Sequence, residues 1–318
     1  MKLTLRGIEI FIAVVEEASM SGGARRLGAS VSAVSQQIAN LEDALGARLI
    51  DRAARPFALT PAGHLFHRRA LAILGEASLA EAELAERRIT RFRRLRFAVV
   101  DEFEGRLLPR LLADLAAENP DCTFSIRSGL SHENVAALES RSVDLVISAD
   151  VERLPDEVER HPILRDPFIL AAPPGVDPET APMIAYAPNQ MLGRLIDAHL
   201  RRLRKAPPRR FEIATNAGVL ATTAALGGWC VTTALAFRAS AADGLEPRPL
   251  PFPDFSRRLA VFARRDVLGS LPERAAEVLR RELSAEVEAT CRDLPWLGAQ
   301  FRVISAASAM DEIEVSEI

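Results

Sequence analysis

Residues 30–40 bring together Ser30, Ser32, Ser35, Gln36 and Asn40, and three arginines, Arg48, Arg52 and Arg55, follow closely. Small uncharged donors and acceptors beside a basic cluster suit a nucleic-acid surface: amides and hydroxyls read base edges in a groove, and guanidinium groups hold phosphates. A second set of polar residues lies far downstream: Asp101, Glu102, Ser131, Tyr186, Asn189, Thr215 and Asn216. Each stands at the predicted end of a strand or start of a helix, where free amides and side chains can hold a small ligand. Ser131 and Thr215 are equally readable as simple helix caps.

The first set needs a helix that shows one face to solvent. Val34, Ile38, Leu41 and Leu45 form one apolar stripe at a 3.6-residue period, so the segment from Val31 to Leu45 is expected to be a helix burying that stripe. Ser32, Gln36, Ala39 and Asn40 then face outward. Before it, Ile8, Phe11, Ile12 and Val15 make a matching stripe over residues 5–17. Ala24 and Leu27 end a short helix at Gly28, which supplies a tight turn, and Ser30 or Ser32 is expected to cap the next helix. Gly22 and Gly23 sit inside the short helix, where each costs roughly 1 kcal/mol. Beyond Leu45, residues 47–60 read as a basic hairpin around Pro56 with the apolar strand Phe57–Leu59, and Thr60-Pro61 opens another helix. The competing reading is a helical hairpin with a merely polar surface.

Order and spacing together give this stretch a family likeness. Residues 5–63, with FIAVVEEAS, ALGARLIDR and LTPAG in order, resemble the DNA-binding domain of LysR-type transcriptional regulators. The family commonly has Gln-Pro after the serine that opens the recognition helix, and this chain has Val31-Ser32. The resemblance implies base-reading roles for Ser35 and Gln36, and Val31 is suited to touch a thymine methyl group. Residues 91–287 resemble the same family's effector-binding domain, similar to periplasmic solute-binding proteins, through LLPRLLADLAAENP, VDLVIS and the turn near Gly228.

The fold class expected is α/β, with an N-terminal all-α winged helix-turn-helix, a long linker helix and a two-lobed solute-binding-protein-like effector domain. The expected domains are 1–61 for the DNA-binding unit, 62–90 for a dimerising linker helix, 91–166 for lobe I with 265–287 returning to it, 167–264 for lobe II, and 288–318 for a C-terminal extension. Phe66, Ala70, Ile73, Ala77, Ala80 and Leu84 recur at coiled-coil spacing and are expected to form a dimer seam; packing of this helix on its own domain is the alternative. Strand and helix alternate from Leu95 to Leu283, which predicts a mostly parallel sheet.

Charge is divided unevenly. Residues 1–96 hold 15 Lys and Arg against 10 Asp and Glu, and the rest hold 25 against 33. A basic head on an acidic body fits double-stranded DNA as the partner of the head. The expected partners are DNA, a small-molecule effector and a second copy of the chain, with tetramers implied by the resemblance and RNA polymerase as a further candidate. No cofactor and no metal is expected, and His64 and His67, one turn apart, lack a third ligand. Cys122, Cys230 and Cys291 are few and widely spaced, which suggests a reducing compartment and a cytoplasmic location, with no signal peptide and no membrane partner. The uncharged run 213–237 contains threonines and glycines and reads as helix, turn and strand.

Enzymatic chemistry finds little support. No GxSxG, Walker loop, HExxH or GxGxxG after a strand occurs. His132 and Asp144 are the one imaginable acid-base pair. Asp101 and Glu102 would repel an organic acid unless they are paired, which favours an amine-bearing or neutral ligand.

Overall fold

The computed structural model describes residues 3–51, 54, 57–84, 92–151, 154–240 and 243–305. Arg52, Arg55, Pro56, Arg87 and the acidic residues of 311–317 lie outside these, as do the side chains of Ala80 and Leu84. Two compact units emerge: one runs to Arg93, with Ala137–Val143 grouped into it, and the other comprises Arg94–Ala136 and the chain from Asp144.

The first unit begins with α1 (Leu5–Glu16), capped by Thr4, whose hydroxyl accepts from the Gly7 amide at 3.1 Å. Helix α2 (Met20–Arg26) is capped by Ser19 and followed by Gly28 at φ 61°, a left-handed turn that glycine adopts without strain. Gly23 explains itself through packing: a Cβ there would lie 2.7 Å from Val14 Cγ2, so α1 and α2 meet backbone to backbone. Helix α3 (Val31–Leu45) is capped by Ser30, which accepts from the Ala33 amide at 3.2 Å; Ser32 instead bonds the Ser30 hydroxyl.

Val34, Ile38 and Leu41 are buried against Ile8, Phe11 and Val14 as expected, but Leu45 is 37% exposed. Glu42 takes the place inward of it. Its carboxylate accepts from the amides of Leu49 (2.8 Å) and Ile50 (3.3 Å) and from Arg48 (2.9 Å), the kind of full pairing that makes a buried charge tolerable. The end of α3 is thereby fastened to the hairpin of β1 (Ile50–Asp51) and β2 (Ala58–Leu59), which pair antiparallel.

Thr60 caps α4 (Pro61–Leu84) by accepting from the Gly63 amide, while its hydroxyl donates to the Arg48 carbonyl at 2.6 Å. Part of the expected dimer seam also meets the helix's own unit. Phe66 packs on Phe11 with ring centroids 5.3 Å apart, Ala70 is fully buried, and Ile73 lies against the same core, so these three serve the helix's own unit. A repeat of 3 and 4 cannot by itself tell a partner helix from a nearby core.

The second unit is built on β3 (Arg94–Val99), α5 (Leu107–Glu118), β4 (Thr123–Ser128), α6 (Ser131–Glu139), β5 (Leu145–Ala149) and the long β6 (Val158–Ala172). It continues through β7 (Met183–Tyr186), α7 (Met191–Arg202), β8 (Arg209–Ile213), α8 (Asn216–Leu226), β9 (Cys230–Thr233), α9 (Ala234–Ser240), β10 (Glu246–Arg248), β11 (Ser256–Arg264), α10 (Leu271–Asp293) and β12 (Arg302–Val303). Strand β3 is flanked by parallel neighbours β4 and β5, and β7 and β8 are also parallel. The expectation of a mostly parallel sheet nevertheless fails. Strand β6 pairs antiparallel with β9, β10, β11 and β12, and β11 is antiparallel to β5. Both long strands carry the chain between the two halves of the unit and must run against each other.

Two further differences follow from tertiary context. The predicted strand at residues 231–235 stops at Thr233, because Asp166 accepts from the Leu235 amide and starts α9. Helix α10 continues ten residues beyond Leu283 to Asp293. The segment after it is part of the body: Leu297, Phe301 and Ile304 are buried, and β12 extends the sheet.

Candidate functional site

Two groups of residues carry the chemistry, one in each unit. On α3, Ser32, Gln36 and Asn40 are exposed, Ser35 is half-buried, and Val31 is 49% exposed. Gln36 Nε2 donates to Asn40 Oδ1 at 3.0 Å, one helical turn apart. This bond holds both amides on the outer face and leaves the Gln36 carbonyl oxygen and the Asn40 amide group for a base edge. Ser30 is occupied by the cap. Arg48 keeps two thirds of its side chain exposed but is paired to Glu42, so its charge is already partly balanced. Arg52 and Arg55 lie outside the described residues.

In the second unit, a cavity of about 250 Å³ is lined by Asp101, Glu102, Ser131, Thr215 and Asn216, five of the seven residues singled out in the sequence. Tyr186 and Asn189 are not among them. Tyr186 is buried with its hydroxyl 2.9 Å from Thr232 Oγ1, and burial pushes its pKa well above the usual value. Asn189 is exposed and offers its backbone carbonyl to Arg194. The structure adds Ser128, Gln190 and Arg257 to the wall.

Helix starts dominate this wall. Ser131 opens α6, Gln190 precedes α7, and Thr215 caps α8 by accepting from the Gly218 amide at 3.1 Å. No side chain caps α7, which leaves its first-turn amides without a side-chain acceptor beside the cavity.

Facing these amides is an ionic cluster centred on Arg257. Its guanidinium donates to Glu102 Oε1 (2.7 Å), Asp166 Oδ2 (2.9 Å) and Thr233 Oγ1 (3.1 Å), and all three charged side chains are essentially buried. Burial opposes ionisation of Glu102, but the charge of Arg257 together with hydrogen bonds from Asp101, Arg257 and the backbone outweighs it and holds its pKa down. Asp166 goes the other way, its burial prevailing over Arg257. Asp101 accepts from Asn216 Nδ2 at 2.9 Å, and desolvation together with the neighbouring Glu102 charge raises its pKa to about 7. Glu102 Oε2 is closed to solvent, and the Glu102 carboxylate lies against the Asp101 carboxyl, which stabilises the protonated form of Asp101. The expected repulsion of acids is thus softened at Glu102 by Arg257. Sequence reasoning missed Arg257 and Asp166; they are 91 residues apart and meet only because β11 and β6 place them opposite each other.

Other candidates separate. His132 is exposed, and Asp144 is held by Arg96 through contacts of 2.7 and 3.0 Å, so they form no acid-base pair. His67 lies edge-on to Phe11, with its pKa lowered by burial, and no metal-binding group of His, Cys, Asp or Glu occurs among the described residues. Among those residues no helix is long and apolar enough to cross a membrane.

Comparison with known proteins bears on both units. Residues 5–64 match the family described as bacterial regulatory helix-turn-helix protein, lysR family, and residues 90–286 match the LysR substrate binding domain. A probable hydrogen peroxide-inducible genes activator of Mycobacterium avium is 32% identical over 177 residues, 54% of this chain and 55% of that protein, so the matched segment spans about half of each. A full-length OxyR variant from Pseudomonas aeruginosa shares the fold with TM-score 0.65 at 20% identity, covering 88% of this chain and 94% of that one. CbnR, solved in complex with its target DNA, aligns with TM-score 0.61 at 21% identity over 88% of this chain and 99% of that one. With both signature domains present in order and together covering most of its length, the chain belongs to the LysR family of bacterial helix-turn-helix regulators.

Proposed function

We propose that this protein is a sequence-specific DNA-binding transcriptional regulator, not an enzyme, whose operator binding or bending of DNA responds to a small molecule held in the cavity of the second unit. The observation that carries the reading is α3 itself: a helix with one side locked in a core and the other presenting Gln36 and Asn40 as a hydrogen-bonded amide pair. Ser35, Gln36 and Asn40 take the base-reading role, Ser30 and Ser32 line the approach, and Arg48, Arg52 and Arg55 contact phosphates. Self-association brings two α3 helices to two half-sites, with α4 as the dimerising element through faces its own core leaves open, and further pairing to a tetramer. RNA polymerase is the partner through which a bound regulator acts, and the cytoplasm is where all these partners meet.

The test is binding-site selection with the full chain, followed by salt titration on the best site. A pseudo-palindrome with half-sites about one helical turn apart supports the reading. Gln36→Ala should flatten base preference at one position of each half-site by about 1–3 kcal/mol, whereas Arg52→Ala should weaken all sequences alike and lower the salt slope by about one. Full discrimination by Gln36→Ala would remove α3 from the role.

The peroxide response in the name of the M. avium relative is not carried over. Burial pushes the Cys230 thiol up to about 12, and it raises Cys122 and Cys291 as well, which suppresses the thiolate that peroxide attacks.

A further inference from the structure

The cavity is electrically two-sided. At one side, the single guanidinium of Arg257 is shared by Glu102 and Asp166, and Asp101 adds a third carboxyl. An incoming carboxylate there would make yet another anion around one cation. An ammonium group would instead meet the Asp101 carboxyl at the wall, with the buried Glu102 carboxylate beside it. At the other side, α7 begins without a side-chain cap and α6 begins at Ser131, so the positive ends of two helix dipoles meet the wall, which favours a carboxylate. At about 250 Å³, the space lies below the roughly 300–1,000 Å³ typical of drug-sized ligands.

We propose that the effector is a small zwitterion of the α-amino-acid type, its ammonium held by Asp101 and Glu102 and its carboxylate by the first-turn amides of α6 and α7. This deepens, and rests on, the reading of the cavity as the effector site. Asn216 is the group to be displaced or kept as a third contact, since its amide already donates to Asp101 in the ligand-free arrangement. Asp101 also predicts the pH response. The groups facing it are Glu102, Arg257 and the neutral Asn216, and its own ionisation near pH 7 strengthens the ammonium contact as pH rises from about 6 to about 8.

The experiment titrates the full chain by calorimetry with the twenty protein L-α-amino acids and, for each that binds, with the matched carboxylate lacking the amine and the matched amine lacking the carboxylate. The expected result is at least one amino acid binding tenfold or more tighter than both analogues, with affinity increasing from pH 6 to pH 8. Asp101→Asn should weaken the amino acid tenfold while leaving the amine-free carboxylate unaffected, and Asp101→Glu should restore part of the loss. Ser128→Phe, at the cavity wall, should abolish binding of every probe. Equal or tighter binding of the amine-free carboxylate, lost in Ser128→Phe, overturns the zwitterion while leaving the cavity as the effector site. Binding that survives Ser128→Phe in a folded protein overturns the cavity reading itself, and an absence of amino-acid binding overturns the proposed class.

Discussion

Replacing Arg257 by Met isolates what the buried ionic cluster contributes. Met fills a similar volume but leaves Glu102 and Asp166, both essentially inaccessible to solvent, without their shared counter-charge. Breaking a buried pair in this way costs about 3–5 kcal/mol, since the remaining charge is neither solvated nor paired. For a unit of this size, 1 kcal/mol corresponds to about 2–4 °C in Tm, so calorimetry at pH 7 should show the unit melting about 6–20 °C lower. The sign of the pH dependence follows from the same argument. Without Arg257 both carboxyls have folded pKa values above their unfolded ones, so the penalty is full at neutral pH and fades as pH falls toward about 4, where they are protonated in both states. The deficit should therefore shrink between pH 7.5 and 5. Asp166→Asn on the Arg257→Met background should recover part of it, since an amide oxygen still accepts from the Leu235 amide. A deficit under about 1 kcal/mol, or one equal at both pH values, would refute the assignment of net stabilisation to this pairing.

Three other outcomes are expected. Gly23→Ala should destabilise the first unit by about 1–3 kcal/mol despite the better helix propensity of alanine, because its Cβ would press on Val14; chemical denaturation monitored by helix content checks this. Asp101→Asn should gain stability relative to the parent as pH climbs from about 4 to about 7 and hold the gain above that: the raised carboxyl pKa supports folding below the unfolded value and loses that support toward pH 7. Urea midpoints at pH 4.5 and 8 measure it, and equal differences at both would contradict the raised pKa. Hydrogen peroxide at concentrations that oxidise ordinary exposed thiols should leave operator affinity unchanged, as read by gel shift before and after treatment, given the raised thiols.

Helix α3 and the turn before it were legible because each feature is local. Ser30, Gly28 and the run Val34, Ile38, Leu41 are set by cap chemistry, φ preference and a 3.6-residue period, and each acts within a turn or two of chain. The same locality explains one misreading and one ambiguity. Leu45 continues the apolar period but overhangs the core, and Phe66, Ala70 and Ile73 have partner-helix spacing yet bury against Phe11's side of their own unit. Periodicity tells which residues share a face, and only the packed neighbours tell what that face meets.

For the cavity of the second unit, the sequence alone identified strand ends and helix starts, and with them Asp101, Glu102, Ser131, Thr215 and Asn216. It placed Tyr186 and Asn189 there by the same rule, which knows nothing of the direction a side chain takes once β7 is packed. Arg257 and Asp166 carried no local signal, because their meaning is a pairing across 91 residues created by the antiparallel register of β6 and β11. Local propensities and hydrophobic period act over a few bonds and can be read in one dimension. Charge balance in a buried site is a sum over groups brought within a few ångströms by the fold, and only the tertiary structure decides which groups enter that sum.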